Sequence, residues 1–210
     1  MRDNGLVVNM EKKTSGKIRF VLVLIAILCL VVTVNAIPPL PCEYHWQVVI
    51  DGAPAPAGTI ITAAVNGSVR GAVALQAPGA LGGMGTFDRR LVVSVTEEDT
   101  ASTASPDVVF YVDGIRADVV DSFEPGESHE VTLSAKSLKT MPTFLAKPTD
   151  PDGDFVYEDL NGNGRLDFAD VVLYFNQMEW IAANEPVSAF DLNGNGRIDF
   201  ADIVRLFGEI

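Results

Sequence analysis

Aspartate, asparagine and glycine recur in one fixed order at two places near the end of the chain: DLNGNGRLDFAD from Asp159 to Asp170, and DLNGNGRIDFAD from Asp191 to Asp202. Oxygen-bearing side chains fall at places 1, 3, 5, 9 and 12 of each dozen. In the first copy these are Asp159, Asn161, Asn163, Asp167 and Asp170, with the Arg165 main-chain carbonyl at place 7 and Gly164 at place 6, where the chain must turn sharply. The second copy supplies Asp191, Asn193, Asn195, Asp199 and Asp202, with the Arg197 carbonyl and Gly196. Calcium takes six to eight oxygen ligands in flexible geometry, and three carboxylates per loop supply charge against a divalent ion. The spacing therefore predicts two bound calcium ions. Two acidic turns standing ahead of helices would have to place five correct ligands twice over.

At an offset of 32 residues the copies share 12 of 14 positions over 159–172 and 191–204, and both differences, Leu166/Ile198 and Val171/Ile203, keep an apolar side chain. This is a duplication. Each loop runs into an apolar stretch with helical spacing. FADVVLYFNQMEWIAAN sets Phe168, Val171, Val172, Phe175 and Met178 on one stripe, and FADIVRLFGEI repeats it with Phe200, Ile203, Val204 and Phe207. The reading is that each stripe buries against the other, with loop and helix folding together as the metal binds. Leu166 and Ile198, at place 8, are where paired loops would bring short strands together. No helix is expected ahead of either loop, because TDPDGDFVYE holds Pro151 and Gly153 and NEPVSAF holds Pro186. Asp150, Asp152 and Asp154 alternate ahead of the first loop. They read as a solvated acidic linker in preference to a third, incomplete calcium site, because too few further ligands are in sight.

Every ligand slot of an EF-hand loop is filled, yet place 12 is Asp and not the longer Glu, and each unit is a loop followed by a helix. Two such Asp-closed units from Asp152 to Ile210 resemble the dockerin family. The resemblance implies two calcium sites, two roughly antiparallel helices and docking onto a cohesin domain of another protein. In clostridial type I members, places 10 and 11, often Ser-Thr, help to choose the cohesin; here they are Phe168-Ala169 and Phe200-Ala201. These four residues are the candidate partner contacts, although an aromatic at a helix start also suits a core. Identical pairs in both halves would permit two docking orientations related by a pseudo-twofold.

Upstream, residues 37–134 read as strands. YHWQVVI, TIITAAV, VRGAVAL, RLVVSV, DVVFYV, IRADVV and HEVTLSA are rich in β-branched and aromatic residues and are punctuated by Asp51-Gly52, Asn66-Gly67, Asp113-Gly114 and Pro125-Gly126. Tyr44 and Trp46 sit in a strand pattern and read as core. The stretch from Ala77 to Asp88 is too glycine-rich for a strand and reads as an irregular loop. A β-sandwich is expected. Through IDGAPAPAGTIITAAVNG, GGMGTFDRRLVV and VVFYVDGIRA this module is similar to immunoglobulin-like secreted β domains of archaeal and bacterial surface proteins, which implies a binding or spacer role. Asn66-Gly67-Ser68 is a glycosylation sequon on an expected hairpin tip. Residues 135–151, with Pro142, Pro148 and Pro151, read as a linker, and 152–210 as the dockerin-like domain. The fold class is mixed multidomain: a signal peptide, an all-β immunoglobulin-like sandwich and a small all-α domain with two EF-hand-type loops.

The basic segment EKKTSGKIRF leads into an apolar run of 15 residues from Phe20 to Val34, followed by Asn35-Ala36 and then prolines. As a helix the run spans about 22 Å, short of the roughly 30 Å of a bilayer core, so residues 1–36 read as a secretory signal cleaved after Ala36. Membrane contact would come only through that segment, were it uncleaved. Cys29 would leave with it, and Cys42 alone can form no internal disulfide. The chain carries a net charge of −13. Acid concentrates in residues 150–210, with 13 Asp+Glu against 3 Arg, and no basic patch follows the signal segment, which excludes a phosphate-backbone binder. TEEDT and FEPGES place acids near turns and offer no obvious carboxylate pair for glycoside hydrolysis, so an enzyme is not expected. The reading is a secreted or cell-surface adaptor in a cellulosome-like assembly. The alternative is a stand-alone extracellular protein whose β module binds polysaccharide and whose calcium units are only structural, or an accessory module of a polysaccharide-degrading complex.

Overall fold

Turn chemistry fixes the first half of the molecule. The computed structural model describes residues 38–83, 85 and 87–210, and the expected signal segment, residues 1–36, lies outside them. Nine strands come first: β1 (Cys42–Ile50), β2 (Ala53–Pro54), β3 (Ile60–Val65), β4 (Ser68–Ala74), β5 (Ala80–Leu81), β6 (Leu91–Val93), β7 (Asp107–Val112), β8 (Ile115–Ser122) and β9 (Ser128–Ala135). Asn66-Gly67 and Asp113-Gly114 close the β3–β4 and β7–β8 hairpins with positive φ at both central residues (50° and 76°, 47° and 82°). That is the type I′ geometry, whose twist matches the flanking strands.

β4, β3, β7 and β8 form one antiparallel sheet in that order. In the other sheet β1 is central. β9 runs parallel to it from Glu43↔Ser128 to Ile50↔Ala135, while β6, β5 and β2 share the opposite edge in turn. Inward side chains of both sheets belong to one core that includes Tyr44, Val48, Ile61, Phe110, Leu91 and Leu133. Tyr44 spans it: its ring meets Phe110 edge-on at 4.9 Å and its hydroxyl donates to the Ser122 carbonyl at 3.2 Å. Where β4 reaches β6, a Cβ on Gly71 would stand 2.2 Å from the Val92 carbonyl oxygen, so only glycine permits that approach.

Two expectations change here. Trp46 is not core but 52% exposed, because β1 loses its alternation at that point: Tyr44 and His45 are both buried, and Trp46 has φ of 129°. The glycine-rich stretch from Ala77 to Asp88 contains the two-residue strand β5, too short to show as alternation.

Two helices follow, α1 (Phe168–Asn184) and α2 (Phe200–Phe207), with a 3-10 turn at Val187–Ala189 between them. Among the described residues no α-helix runs directly into either loop; the second is preceded by the 3-10 turn at Val187–Ala189. Pro38–Ile210 form one compact unit. The segment between strands and helices packs against the core through Leu138 and Met141, and the Lys139 N–H donates to both carboxylate oxygens of Glu185, at 3.2 Å each. Cys42 is buried and free. Among the described residues no helix is long and apolar enough to cross a membrane.

Candidate calcium loops and an exposed aromatic face

The two acidic dozens fold as near copies. In the first, the place-1 carboxylate of Asp159 accepts the Asn163 N–H at 3.1 Å and the Gly164 N–H at 2.7 Å; in the second, Asp191 accepts Asn195 N–H at 3.0 Å and Gly196 N–H at 2.6 Å. Gly164 and Gly196 have φ of 83° and 82°, the left-handed turn that place 6 requires. At place 5, Asn163 and Asn195 accept the N–H of Arg165 and Arg197 at 3.0 and 2.9 Å. Asp170 accepts from Asn161, backbone and side chain, and Asp202 does the same from Asn193. Leu166 and Ile198 pack against the core, but no strand pairing joins them among the described residues.

Asp167 and Asp199 have a second task. Each is a helix N-cap whose side chain accepts the N–H of Ala169 or Ala201, and each receives Asp170 or Asp202 back on its own N–H, at 2.9 and 2.8 Å. The reciprocal pair satisfies two otherwise orphaned donors at each helix start. Loop and helix are thus one unit: the ninth and twelfth residues of the loop are also the first capping pair of the helix.

The donor set fits calcium. Every side chain at places 1, 3, 5, 9 and 12 carries oxygen, and the carboxylates of Asp159, Asp170 and Asp202 are buried. Burial first, then the neighbouring Asp159 and Asp167, raises the Asp170 carboxyl above the usual carboxylate range, and burial with Asp191 and Asp199 does the same to Asp202. A divalent cation is the charge that would reverse those shifts.

The helices differ from the expected stripe. Val171 and Ile203 are buried as expected, but Tyr174, Ile181 and Leu206 complete the buried face. Phe168, Phe175, Phe200 and Phe207 point outward, 60%, 61%, 58% and 60% exposed, with Val172 and Val204 beside them. The phenylalanines pair across the two units: Phe168 with Phe207 at 6.4 Å between ring centroids and Phe175 with Phe200 at 6.5 Å, both edge-on. The offset of 32 exchanges Phe168 with Phe200 and Phe175 with Phe207, so it carries one pair onto the other. Ala169 and Ala201 lie exposed beside them. Of this face, Phe168, Ala169, Phe200 and Ala201 stood out at places 10 and 11. Phe175 and Phe207 did not, although α1 is apolar on too many sides for one buried stripe.

Residues 157–210 match the family model of the dockerin type I domain. This segment belongs to the dockerin family. Dockerin type I domains bind calcium, and dockerins are non-catalytic modules that bind cohesin domains, found typically on extracellular or cell-surface proteins. Neither the curated proteins nor the solved structures returned a match to the chain.

Outside the dockerin loops a further acidic group draws together. Among the described residues, Asp150, Asp152, Asp154 and Glu158 each offer a carboxylate oxygen within 4.8 Å of all the others. Glu158 was absent from the sequence reading. Burial, with Asp152, Asp150 and Asp154 adding to it, pushes its carboxyl up to about 7. The sequon residue Asn66 is exposed on its hairpin tip, with its side-chain N–H donated to the Asp99 carbonyl at 3.2 Å.

Proposed function

We propose that the chain is a secreted, non-catalytic adaptor, divided as 37–134, 135–151 and 152–210, whose dockerin unit holds two calcium ions and docks onto a cohesin through its exposed aromatic face. The residues that would hold the ions are Asp159, Asn161, Asn163, Arg165 (carbonyl), Asp167 and Asp170, and Asp191, Asn193, Asn195, Arg197 (carbonyl), Asp199 and Asp202. Calcium supplies positive charge that fixes the loops; the chain's own Asp167 and Asp199 then start the helices that present Phe168, Ala169, Phe200 and Ala201. Phe175 and Phe207 complete the two halves of the surface.

The pair of edge-on phenylalanine contacts, exposed and exchanged by the repeat, carries this reading. Four large rings left in water cost folding free energy, roughly 1.5–3 kcal/mol for each that could have been buried, and buried aromatic anchors are what protein interfaces use. Because the halves are equivalent, a cohesin would meet the same surface in either of two orientations.

Isothermal titration with a cohesin domain from the same organism tests the reading. Binding is expected in calcium and is expected to be lost in chelator; calcium-independent binding, or none to any cohesin of that organism, contradicts it.

One observation favours a sugar-binding role for the β module. Trp46 presents an exposed indole on strand β1 from a backbone conformation that a tryptophan rarely adopts. Polysaccharide binding through it would change its fluorescence, and Trp46→Ala would remove the change.

A further inference from the structure

Counted from Asp150 as place 1, the stretch DPDGDFVYE puts Asp152 at place 3, Asp154 at place 5, Phe155 at place 6 and Glu158 at place 9. The backbone follows the dockerin loops at places 4 and 6. Gly153 at place 4 has φ of 81°, as Gly162 and Gly194 have 68° and 72°; Phe155 at place 6 has φ of 72°, where the loops use glycine. The Phe155 N–H donates to Asp150 Oδ2 at 2.8 Å and the Val156 N–H to Asp154 Oδ1 at 2.8 Å, the two bonds that place-1 and place-5 residues accept in both calcium loops. Place 12 would be Asn161, which already serves the next loop.

Glu158 supplies what the three aspartates alone lack. It is 5% exposed, and its carboxylate is aimed into the cluster. Among the described residues no cation reaches it, and the donor it meets is its own backbone N–H. A carboxylate buried against three others with no positive partner must either keep its proton or meet a cation, and the three further carboxylates within reach supply the ligands for a cation. We propose that Asp150, Asp152, Asp154 and Glu158 form a third calcium site, a partial loop closed from place 9 in place of the missing ligand at place 12. Four hard carboxylates favour calcium over the nitrogen- and sulfur-seeking transition metals.

The site lies where the dockerin unit meets the β module. The Phe155 ring stacks on Tyr111 of β7 at 3.8 Å between centroids and 18° between planes, and the Tyr157 hydroxyl donates to the Asp113 carbonyl in the β7–β8 turn at 3.5 Å. An ion held by residues on either side of Phe155 would fix that ring on the sheet. The third calcium would then act as a clamp on the junction, independent of the cohesin-facing surface and of the assignment of the two dockerin sites.

Native mass spectrometry of residues 38–210 in calcium, on the wild type and on Asp152→Asn/Asp154→Asn, tests the proposal. Both substituted residues are exposed, so the fold should tolerate them. The variant is expected to bind one calcium fewer than the wild type, and terbium luminescence sensitised by Tyr111 and Tyr157 is expected to fall with it. Glu158→Gln, nearly the same size, should lose the same ion. A wild type with two ions and a variant with one would leave the third site standing and remove one dockerin site. Equal stoichiometry in wild type and variant overturns the proposal.

Discussion

Asp99 shows how a single carboxylate ties down a loop of the β module. Its side chain meets Arg70 at 2.7–2.8 Å and accepts both the N–H and the hydroxyl of Thr96. The Arg70 guanidinium, then Thr96, lowers its carboxyl to about 2. A depressed carboxyl contributes stability above its unfolded value of about 3.9, and that contribution is lost as pH falls through the folded value. Urea unfolding of wild type and Asp99→Asn should therefore differ by about 1–2 kcal/mol at pH 5, a figure reduced because Arg70 is partly solvated. The difference should shrink between about pH 4 and 2. A pH-independent gap would show that the shift has another origin. Residue-scale patterns are legible in the sequence only where oxygen-bearing side chains recur close together, as in the two dozens. Glu158 stands close to the aspartates in sequence, at the spacing of a ninth place, but its burial, which comes from tertiary packing, is not visible in that spacing; Trp46 was misplaced because a local break in strand alternation leaves no mark on composition.

At the scale of elements, most of the layout could be read beforehand. Seven strands, the hairpins at Asn66-Gly67 and Asp113-Gly114, and both helix starts follow from alternation, turn dipeptides and the repeat. The parallel pairing of β1 with β9 could not be read, since it joins residues 85 apart whose local patterns are indifferent to their partner. Nor could the outward Phe face, because periodicity shows that a helix has an apolar side and not which of two apolar sides is covered. The structure also changes what losing a loop should do. Asp191→Ala should free α2 from its loop and uncover Ile203 and Leu206, with Val171 on α1 losing its cover in turn; Phe175 and Phe207 are exposed already. Loss of one ion present at 100 times its dissociation constant costs about 2.7 kcal/mol of stability. Calcium titration should show the first site weakened as well, with the near-ultraviolet spectrum altered. An unchanged first site would mean that the two units are independent.

Across the whole molecule, the acidic C-terminal third is held against the β module by Tyr111–Phe155 and Tyr157–Asp113 and against the connecting segment by Glu185–Lys139, so the exposed aromatic surface is displayed from a body that includes both parts. Its symmetry is the central claim. If either half can lead, Phe168→Ala or Phe200→Ala alone removes one of two equivalent orientations and should weaken cohesin binding by about two-fold, whereas the double variant has no intact half. An aromatic anchor is worth about 2 kcal/mol or more, and 1.4 kcal/mol is ten-fold, so the double loss should be at least about 30-fold. Titration calorimetry of wild type, both single variants and the double variant against one cohesin in calcium is the direct measurement. Small single effects with a large double effect are what the account predicts; a single substitution as damaging as the double, or a double variant that binds like wild type, would contradict it.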